Sequence, residues 1–535
     1  MKFRDCAAAV MGLPKSECQF QGCDHLLSAL HREGVSLLLS GFSACPGLFY
    51  PTPAQDGTLS RIRIPGGSLN SRQLCAIAQI AHQCGGGYAD VTNRANLQIR
   101  EIHQDIDAGV MKRLQDLGLG SSNPAVDHIR NIMTSPTAGI DSQELIDTHP
   151  FVQGWENYIA THPELSGLSA KFSVCFDGGG IVSVCDRLND ITFAAVLIAG
   201  KVYFRLYLSV GAKGEPPSDT GILLLPKQCL PVLATLANVY LEHTDITSRR
   251  KLRFRELLNA LGCDNYLQQV QQHLPFSLFV NQQYPNITSK VSTNNYRHIG
   301  IHPQRQPSLY YIGVVLPLGR LETRQMKGLA DLAKKYGSDT IRLTPWQNLL
   351  ITDIPQQWVA DVVSELADLG LDSSPKNINS ALVACSGKKG CAASATDTKS
   401  HALGLTEYLK TRVALDRPVN IHVSGCAKSC AQHSKSDIAL LGISWEENNR
   451  TTEGYHIYVG NGDCNQKFGR EIYQSVAVAE LPTLLEQMLK VYKIQRINSS
   501  ESFGEFANRY AIAQLKHLFA SSWQRSGSGA GGRGR

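Results

Sequence analysis

The sequence predicts an α+β protein, because a strand–helix–strand unit occurs in it twice. Residues 64–102 and 316–354 align without a gap at a constant offset of 252 residues, so one unit occurs twice. This duplication favours two half-domains related by a pseudo-twofold axis. Identical residues recur along the whole unit: Pro65, Gly67, Leu69, Arg72, Gln73, Ala78, Ala81, Gly85, Thr92, Asn96, Leu97, Ile99 and Ile102 each have an identical counterpart in the second copy.

Each copy predicts a strand, a helix and a returning β-rich segment. The first strand ends at a proline, and a hydroxyl residue then begins a run with apolar residues at helical spacing. A glycine ends the helix in each copy. These boundaries are Pro65, Ser71 and Gly85 in the first copy, and Pro317, Thr323 and Gly337 in the second.

Composition excludes several classes of protein. The formal net charge is +6 and only 18% of residues are charged, which is unlike a nucleic-acid-binding chain and suits an anionic small molecule. No apolar run approaches the roughly 18 residues of a membrane span, and no signal peptide is expected. The 15 cysteines are scattered rather than clustered in a small secreted domain. We therefore expect reduced thiols and a cytoplasmic location.

Four cysteines form the candidate metal site. Cys385 and Cys391 have C-x5-C spacing, and after 34 intervening residues Cys426 and Cys430 follow with C-x3-C spacing. Both loops carry small residues, which let backbone amides approach the sulfurs of a cluster. This pattern favours a [4Fe–4S] cluster. Structural zinc, which prefers tighter pairs, and unliganded thiols stay open as alternatives.

The duplicated "PGG…TNR…Q" unit followed by C-x5-C and C-x3-C resembles the sirohaem-dependent nitrite and sulfite reductase superfamily. The resemblance runs from about Cys45 to about Arg509. It implies an internally duplicated fold in which ferredoxin-like half-domains pair into one module beside two α/β cofactor-binding domains. The implied boundaries are an N-terminal extension (1–35), a first half-domain (36–104), a first tetrapyrrole-binding domain (105–290), a second half-domain (291–356), a [4Fe–4S]-binding domain (357–496) and a C-terminal segment with a flexible tail (497–535).

The same resemblance implies which residues bind the macrocycle and its anion. Cys430 is the cysteine whose thiolate bridges the cluster to sirohaem iron in that superfamily. Several guanidinium groups on one cleft suit a polycarboxylate, because each clamps a carboxylate with two charge-assisted bonds. The implied binding residues are Arg61, Arg63, Arg94, Gln98, Arg130, Lys171, Arg250 and Arg253.

Two departures from the reductase pattern indicate a particular branch of the superfamily. A Lys-Phe-Lys element of the reductases reads Lys-Phe-Ser here, with Ser173 in place of the second lysine. The loop "SGCAKSC" has Ala427 and Lys428 where the reductases usually carry Pro and Asn. These segments resemble the precorrin-3B synthase branch of aerobic cobalamin biosynthesis. Lys428, beside Cys430, is expected to favour a negatively charged cluster or carboxylated ring.

Membership of that branch would imply a monooxygenase that converts precorrin-3A to precorrin-3B with O2 and external electrons. It would also imply a mononuclear non-haem iron beside the cluster. The sequence shows no compact iron-binding triad, and His128, His298, His422 and His433 are each read as ordinary histidines.

No nucleotide-binding motif is present, so a ferredoxin or a reductase is expected to supply electrons, with neither a nucleic acid nor a membrane as partner. Two other functions stay open. One is a sirohaem-dependent nitrite or sulfite reductase, and the other is a non-catalytic tetrapyrrole-binding or electron-transfer protein.

Overall fold

The structure is a computed structural model that describes residues 47–527, except 105, 246–247, 249, 282–295, 433–435, 448–449 and 461–467. The predicted extension over residues 1–35, His433 and residues 528–535 of the tail therefore lie outside the described residues. Within the described part of the chain, none of the helices has the length and apolar character needed to cross a bilayer.

The two copies of the duplicated unit form two five-stranded sheets with matching order, β1-β2-β5-β4-β14 and β12-β13-β16-β15-β3. The predicted helices occur in both copies, each between the proline and glycine boundaries. The elements of the first copy are β1 (Thr52–Ala54), β2 (Gly57–Ile62), β3 (Ser68–Asn70), α1 (Ser71–Gln83), β4 (Tyr88–Val91), β5 (Leu97–Ile102) and α2 (Ala108–Asp116).

Between the copies lies a six-stranded sheet covered by helices, with order β11-β10-β9-β8-β7-β6. Its elements are β6 (Ile132–Thr134), α3 (His149–Thr161), β7 (Val174–Asp177), β8 (Ile191–Ile198), β9 (Lys201–Leu208), β10 (Ser218–Leu224), α4 (Cys229–Glu242), α5 (Phe254–Leu261), α6 (Cys263–Gln272) and β11 (Phe279–Val280). The second copy contributes β12 (Gly300–Pro303), β13 (Leu309–Val314), β14 (Arg320–Glu322), α7 (Thr323–Tyr336), β15 (Thr340–Leu343), β16 (Leu349–Pro355) and α8 (Val359–Asp368).

The last sheet carries the cysteine loops, with order β17-β18-β19-β20-β21. Its elements are β17 (Leu382–Ala384), α9 (Gly387–Gly390), α10 (Thr398–Leu409), β18 (Ile421–Ser424), β19 (Ile438–Glu447), β20 (Arg450–Val459), β21 (Arg470–Ala477), α11 (Leu481–Gln495), α12 (Phe503–Asn508) and α13 (Ile512–Gly527).

The two copies exchange one short strand each. β14 of the second copy pairs antiparallel with β4 of the first, and β3 of the first copy pairs with β15 of the second. The apolar faces of α1 and α7 then share one core, which includes Leu74 and Ile77 from α1 and Leu329 and Ala333 from α7. Because each half-sheet is completed by the other copy, the pair behaves as one module.

The second copy also holds the loop between β6 and α3. The buried Arg342 donates to the carbonyl oxygens of Pro136 and Ala138. Arg305 donates to the carbonyl oxygen of Glu144 at 2.9 Å and lies 3.4 Å from its carboxylate. The Glu144 carboxylate accepts from the Gly139 amide at 2.8 Å, and its burial raises its pKa to about 7.

Glu144→Gln should stabilise the protein above neutral pH and not in acid. The pKa of this carboxyl is about 4.5 in the unfolded chain and about 7 in the folded protein, so the folded state resists its ionisation. Its contribution to the free energy of unfolding therefore falls as pH rises from about 4.5 to about 7. We expect the variant to gain roughly 2 kcal/mol over the wild type at pH 8, and little at pH 4.5. Urea unfolding at both pH values measures this, and an equal difference at both would contradict it.

Candidate functional site

Cys385 and Cys391 are placed by β17 and by the single helical turn that follows it. Cys385 comes directly after β17, and its sulfur accepts a hydrogen bond from the Gly425 amide at 3.3 Å. Thr398, at the start of α10, donates to the Cys385 carbonyl oxygen at 2.7 Å, and its hydroxyl lies 3.5 Å from the sulfur. α9 then separates the two cysteines, which are both half-buried.

Cys426 and Cys430 follow the neighbouring strand. β17 and β18 pair in parallel, with Ala384 opposite Val423, so both strands end at the same edge of the sheet. A side chain at Gly425 would clash with Ser394, because its Cβ would lie 1.7 Å from the Ser394 hydroxyl oxygen. The second loop therefore passes very close to the first.

The thiol of Cys430 interacts electrostatically with the other three cysteines. Partial desolvation of its sulfur raises the pKa of Cys430, and the neighbouring Cys385, Cys426 and Cys391 raise it further. Lys428 opposes that rise, so the predicted cation does lie close to this thiol. Cys430 is the exposed member of the four, whereas the others are half-buried.

A cluster suits these four cysteines better than a single metal ion does. Among the described residues, no group of three or more His, Cys, Asp or Glu side chains is placed to hold one metal ion. A single zinc ion needs four sulfurs each about 2.3 Å from one centre. A [4Fe–4S] cube holds its cysteines around a larger core, and the Gly425 amide already donates to the Cys385 sulfur. That the four cysteines hold such a cluster stays a prediction from their spacing.

The histidines near the sequence motifs serve packing. His128 contacts the Leu168 carbonyl oxygen at 3.0 Å, and burial lowers its pKa to about 4. His298 stacks on Trp346 with ring centroids 4.1 Å apart. His422 lies within β18 and is fully buried. In the part of the chain that the structure describes, these side chains do not assemble into an iron site.

The first half-domain carries three of the predicted binding residues on or beside its paired strands β2 and β5. Arg61 and Gln98 are register partners, and their side chains are 3.4 Å apart. Arg94 donates to the Leu188 carbonyl oxygen and to the Asn189 side chain, both at 2.8 Å. Arg94 thus connects the duplicated module to the segment before β8.

Arg63 and Arg130 are bonded to carboxylates of the chain itself. Arg63 lies 3.6 Å from Asp127 and donates to the Tyr50 hydroxyl at 3.3 Å. Arg130 is buried, donates to Asp127 at 3.2 Å and pairs with Glu156 at 2.6 Å. To clamp an anion, either guanidinium would have to exchange one of these partners.

Lys171 is exposed, whereas the position of the missing second lysine is buried. Ser173 donates to the Asp190 carboxylate from its amide at 3.0 Å and from its hydroxyl at 3.1 Å. Burial raises the pKa of Asp190, and Arg253 and Arg94 oppose that rise. Arg253 therefore lies on this side of the molecule, while Arg250 is a solvent-exposed side chain paired with Glu256.

Sequence reasoning missed the contacts between the first half-domain and the cysteine loops. Asp90 is buried and pairs with Lys399 at 2.9 Å and with Arg320 at 3.0 Å, which joins three parts of the chain. Arg100 pairs with Asp56 and donates to the Gly390 carbonyl oxygen at 2.8 Å. The signal available was the divergence of the two copies, because Asp90 corresponds to Arg342 and Arg100 corresponds to Thr352.

Comparison with known proteins gives matches along most of the chain. A family model described as the nitrite/sulfite reductase ferredoxin-like half domain matches residues 50–117 and 302–369. A second, described as the nitrite and sulphite reductase 4Fe-4S domain, matches residues 125–278 and 377–526. Each model matches twice, in agreement with the duplication, and the second includes all four cysteines.

Individual relatives agree with the family models. Ferredoxin–nitrite reductase of Synechococcus elongatus is 28% identical over 460 residues, or 83% of this chain and 88% of that protein. The enzyme of the same name from Leptolyngbya laminosa is 31% identical over 438 residues, or 79% and 85%. The structure of the Mycobacterium tuberculosis NirA protein has a TM-score of 0.72 at 24% identity and covers 86% of this chain and 84% of that chain.

These findings confirm the predicted fold and the superfamily resemblance. The relatives carry the name of nitrite reductases, so they support the reductase alternative better than the precorrin-3B synthase branch.

Cys385→Ser should abolish the iron–sulfur absorbance of anaerobically purified protein. A serine oxygen is a poorer ligand to iron than a thiolate, and Cys385 sits where the two loops meet. Cys75→Ser, at a half-buried cysteine in α1, provides the matched control and should keep the full cluster content. A Cys385→Ser protein with undiminished cluster content would contradict the four-cysteine site.

Lys428→Gln should lower the reduction potential of the cluster. Reduction adds negative charge, and the variant removes a cation whose field already reaches the Cys430 sulfur. Lys227→Gln, at an exposed lysine beside α4, should leave the potential unchanged. Redox titration followed by electron paramagnetic resonance measures both reduction potentials. Equal potentials in the wild type and Lys428→Gln would contradict an influence of this lysine on the cluster.

Proposed function

Because this chain belongs to the nitrite and sulfite reductase family, we propose that it is an iron–sulfur oxidoreductase working on a tetrapyrrole held beside its cluster. The observation that supports this proposal is that the two cysteine loops leave β17 and β18 at one sheet edge, with Cys430 exposed and the other three cysteines half-buried. A cluster on these residues supplies single electrons to whatever lies against Cys430. The protein supplies position and charge.

The first candidate is a ferredoxin-dependent nitrite reductase with sirohaem as second cofactor. It is supported by relatives that are named ferredoxin–nitrite reductase and that align with this chain over most of their length. In this candidate, Arg61, Arg94 and Lys171 provide positive charge for the ring carboxylates and for nitrite. A small acidic electron carrier such as ferredoxin would deliver electrons near the cluster.

The second candidate is a precorrin-3B synthase-like monooxygenase, and a specific observation favours it. Ser173 replaces a lysine that the reductases use on the bound anion, and its hydroxyl is hydrogen-bonded to the buried Asp190 instead. One cation of the reductase pattern is therefore missing.

This reaction would insert one oxygen atom of O2 into precorrin-3A and release the other as water, using electrons and protons from an external donor. The mononuclear iron that this branch implies has no fitting ligand set among the described residues, so no step is assigned to it.

The absorption spectrum of anaerobically purified protein and two assays separate these candidates. The first candidate predicts intense sirohaem bands in the red and ammonia from nitrite with reduced ferredoxin. The second predicts only a broad iron–sulfur shoulder and a mass gain of one oxygen atom when precorrin-3A is incubated with O2 and a reductant. A cluster with neither activity would favour an electron-transfer protein, and a protein without a cluster would overturn the proposal.

A further inference from the structure

A buried arginine of the first half-domain reaches the loop between Cys385 and Cys391. The Arg100 side chain lies in β5 and is only 5% exposed. Its Nε donates to Asp56 Oδ2 at 2.8 Å and its Nη2 to Asp56 Oδ1 at 2.9 Å. Nη2 also donates to the carbonyl oxygen of Gly390 at 2.8 Å, on the peptide that leads directly into Cys391.

Gly390 leaves no room for any larger residue at this contact. A Cβ added there would lie 2.4 Å from Arg100 Nη2 and 3.1 Å from Asp56 Oδ2. The backbone of Gly390 therefore lies directly against the ion pair, and any side chain would displace it.

This contact is specific to one copy of the duplicated unit. The equivalent of Arg100 in the second copy is Thr352, whose hydroxyl bonds to the neighbouring Asp353 at 3.0 Å. The duplicated fold thus forms without an arginine at this position. The other end of the cysteine loop is also fixed to the first half-domain, because Lys399 follows Thr398 and pairs with Asp90 at 2.9 Å.

We propose that Arg100 and Asp56 are positioning residues that hold Cys391 and set the electrostatic field at the cluster. The guanidinium pairs with the Asp56 carboxylate and also donates to the Gly390 carbonyl oxygen, on the peptide that leads into the predicted cluster ligand Cys391. Hydrogen bonds and charges of this kind around ligands tune metal affinity and potential. The inference rests on the cluster of the proposed function.

The two partners predict shifts of opposite sign in the cluster potential. Arg100→Gln leaves the Asp56 charge unpaired beside the loop, so adding an electron becomes harder and the reduction potential falls. Asp56→Asn leaves the Arg100 charge unpaired, so the potential rises. A merely structural role for the pair would not give opposite signs, because both variants loosen the same contact.

The test uses full-length protein purified anaerobically, with redox titration of the cluster and the rate at which a chelator removes its iron. We expect Arg100→Gln to lower the potential and to speed iron loss roughly tenfold or more, whereas Arg100→Lys should restore part of both. Gly390→Ala should reproduce the faster iron loss, because it displaces the same guanidinium, and adding Arg100→Gln to it should change little.

Arg342→Gln is the matched control. Arg342 is another buried arginine of the duplicated module that donates to backbone carbonyl oxygens, but its partners are Pro136 and Ala138. This variant should lose stability without changing the potential. Unchanged potentials in both Arg100→Gln and Asp56→Asn, or shifts of the same sign, would overturn the inference. If the wild-type protein holds no [4Fe–4S] cluster by iron and sulfide content, the proposed function fails with it.

Discussion

Two parallel strands, β17 and β18, end side by side, and this pairing brings together cysteines from loops far apart in sequence. A strand pair that ran antiparallel would send the loops to opposite edges of the sheet. The close approach of Gly425 to the first loop, and the hydrogen bond from its amide to Cys385, depend on this arrangement. The candidate cluster site, with its exposed Cys430, lies at this edge.

The duplicated module contacts the loops at this edge of the sheet. Exchange of β3 and β14 locks the two copies together, yet equivalent positions face different neighbours. Asp90 pairs with Lys399 at the start of α10, whereas its counterpart Arg342 donates to carbonyl oxygens of the loop after β6. Single side chains therefore give the two copies of the duplicated unit different contacts. The first copy contacts the cysteine loops, and the second contacts the central domain.

The sequence was sufficient for the features that depend on local pattern. Apolar spacing and the proline and glycine boundaries predicted the helices of both copies, whereas the cluster site stays a prediction from the cysteine spacing. The strand exchange and the Arg100–Gly390 contact were not predictable, because they join residues up to 290 positions apart that share no local signal. Motif resemblance predicts Arg63 and Arg130 as cations of the site, but it did not reveal that each already faces Asp127. A motif identifies the type of a residue, whereas the partner of its side chain depends on the fold.

The most direct test of the account is a crystal structure of the anaerobically purified protein, with anomalous diffraction measured at the iron absorption edge. The account predicts a compact group of iron atoms bonded to Cys385, Cys391, Cys426 and Cys430, with the Gly390 carbonyl oxygen still bonded to Arg100. A single metal ion between these cysteines, or iron bound elsewhere in the chain, would contradict it.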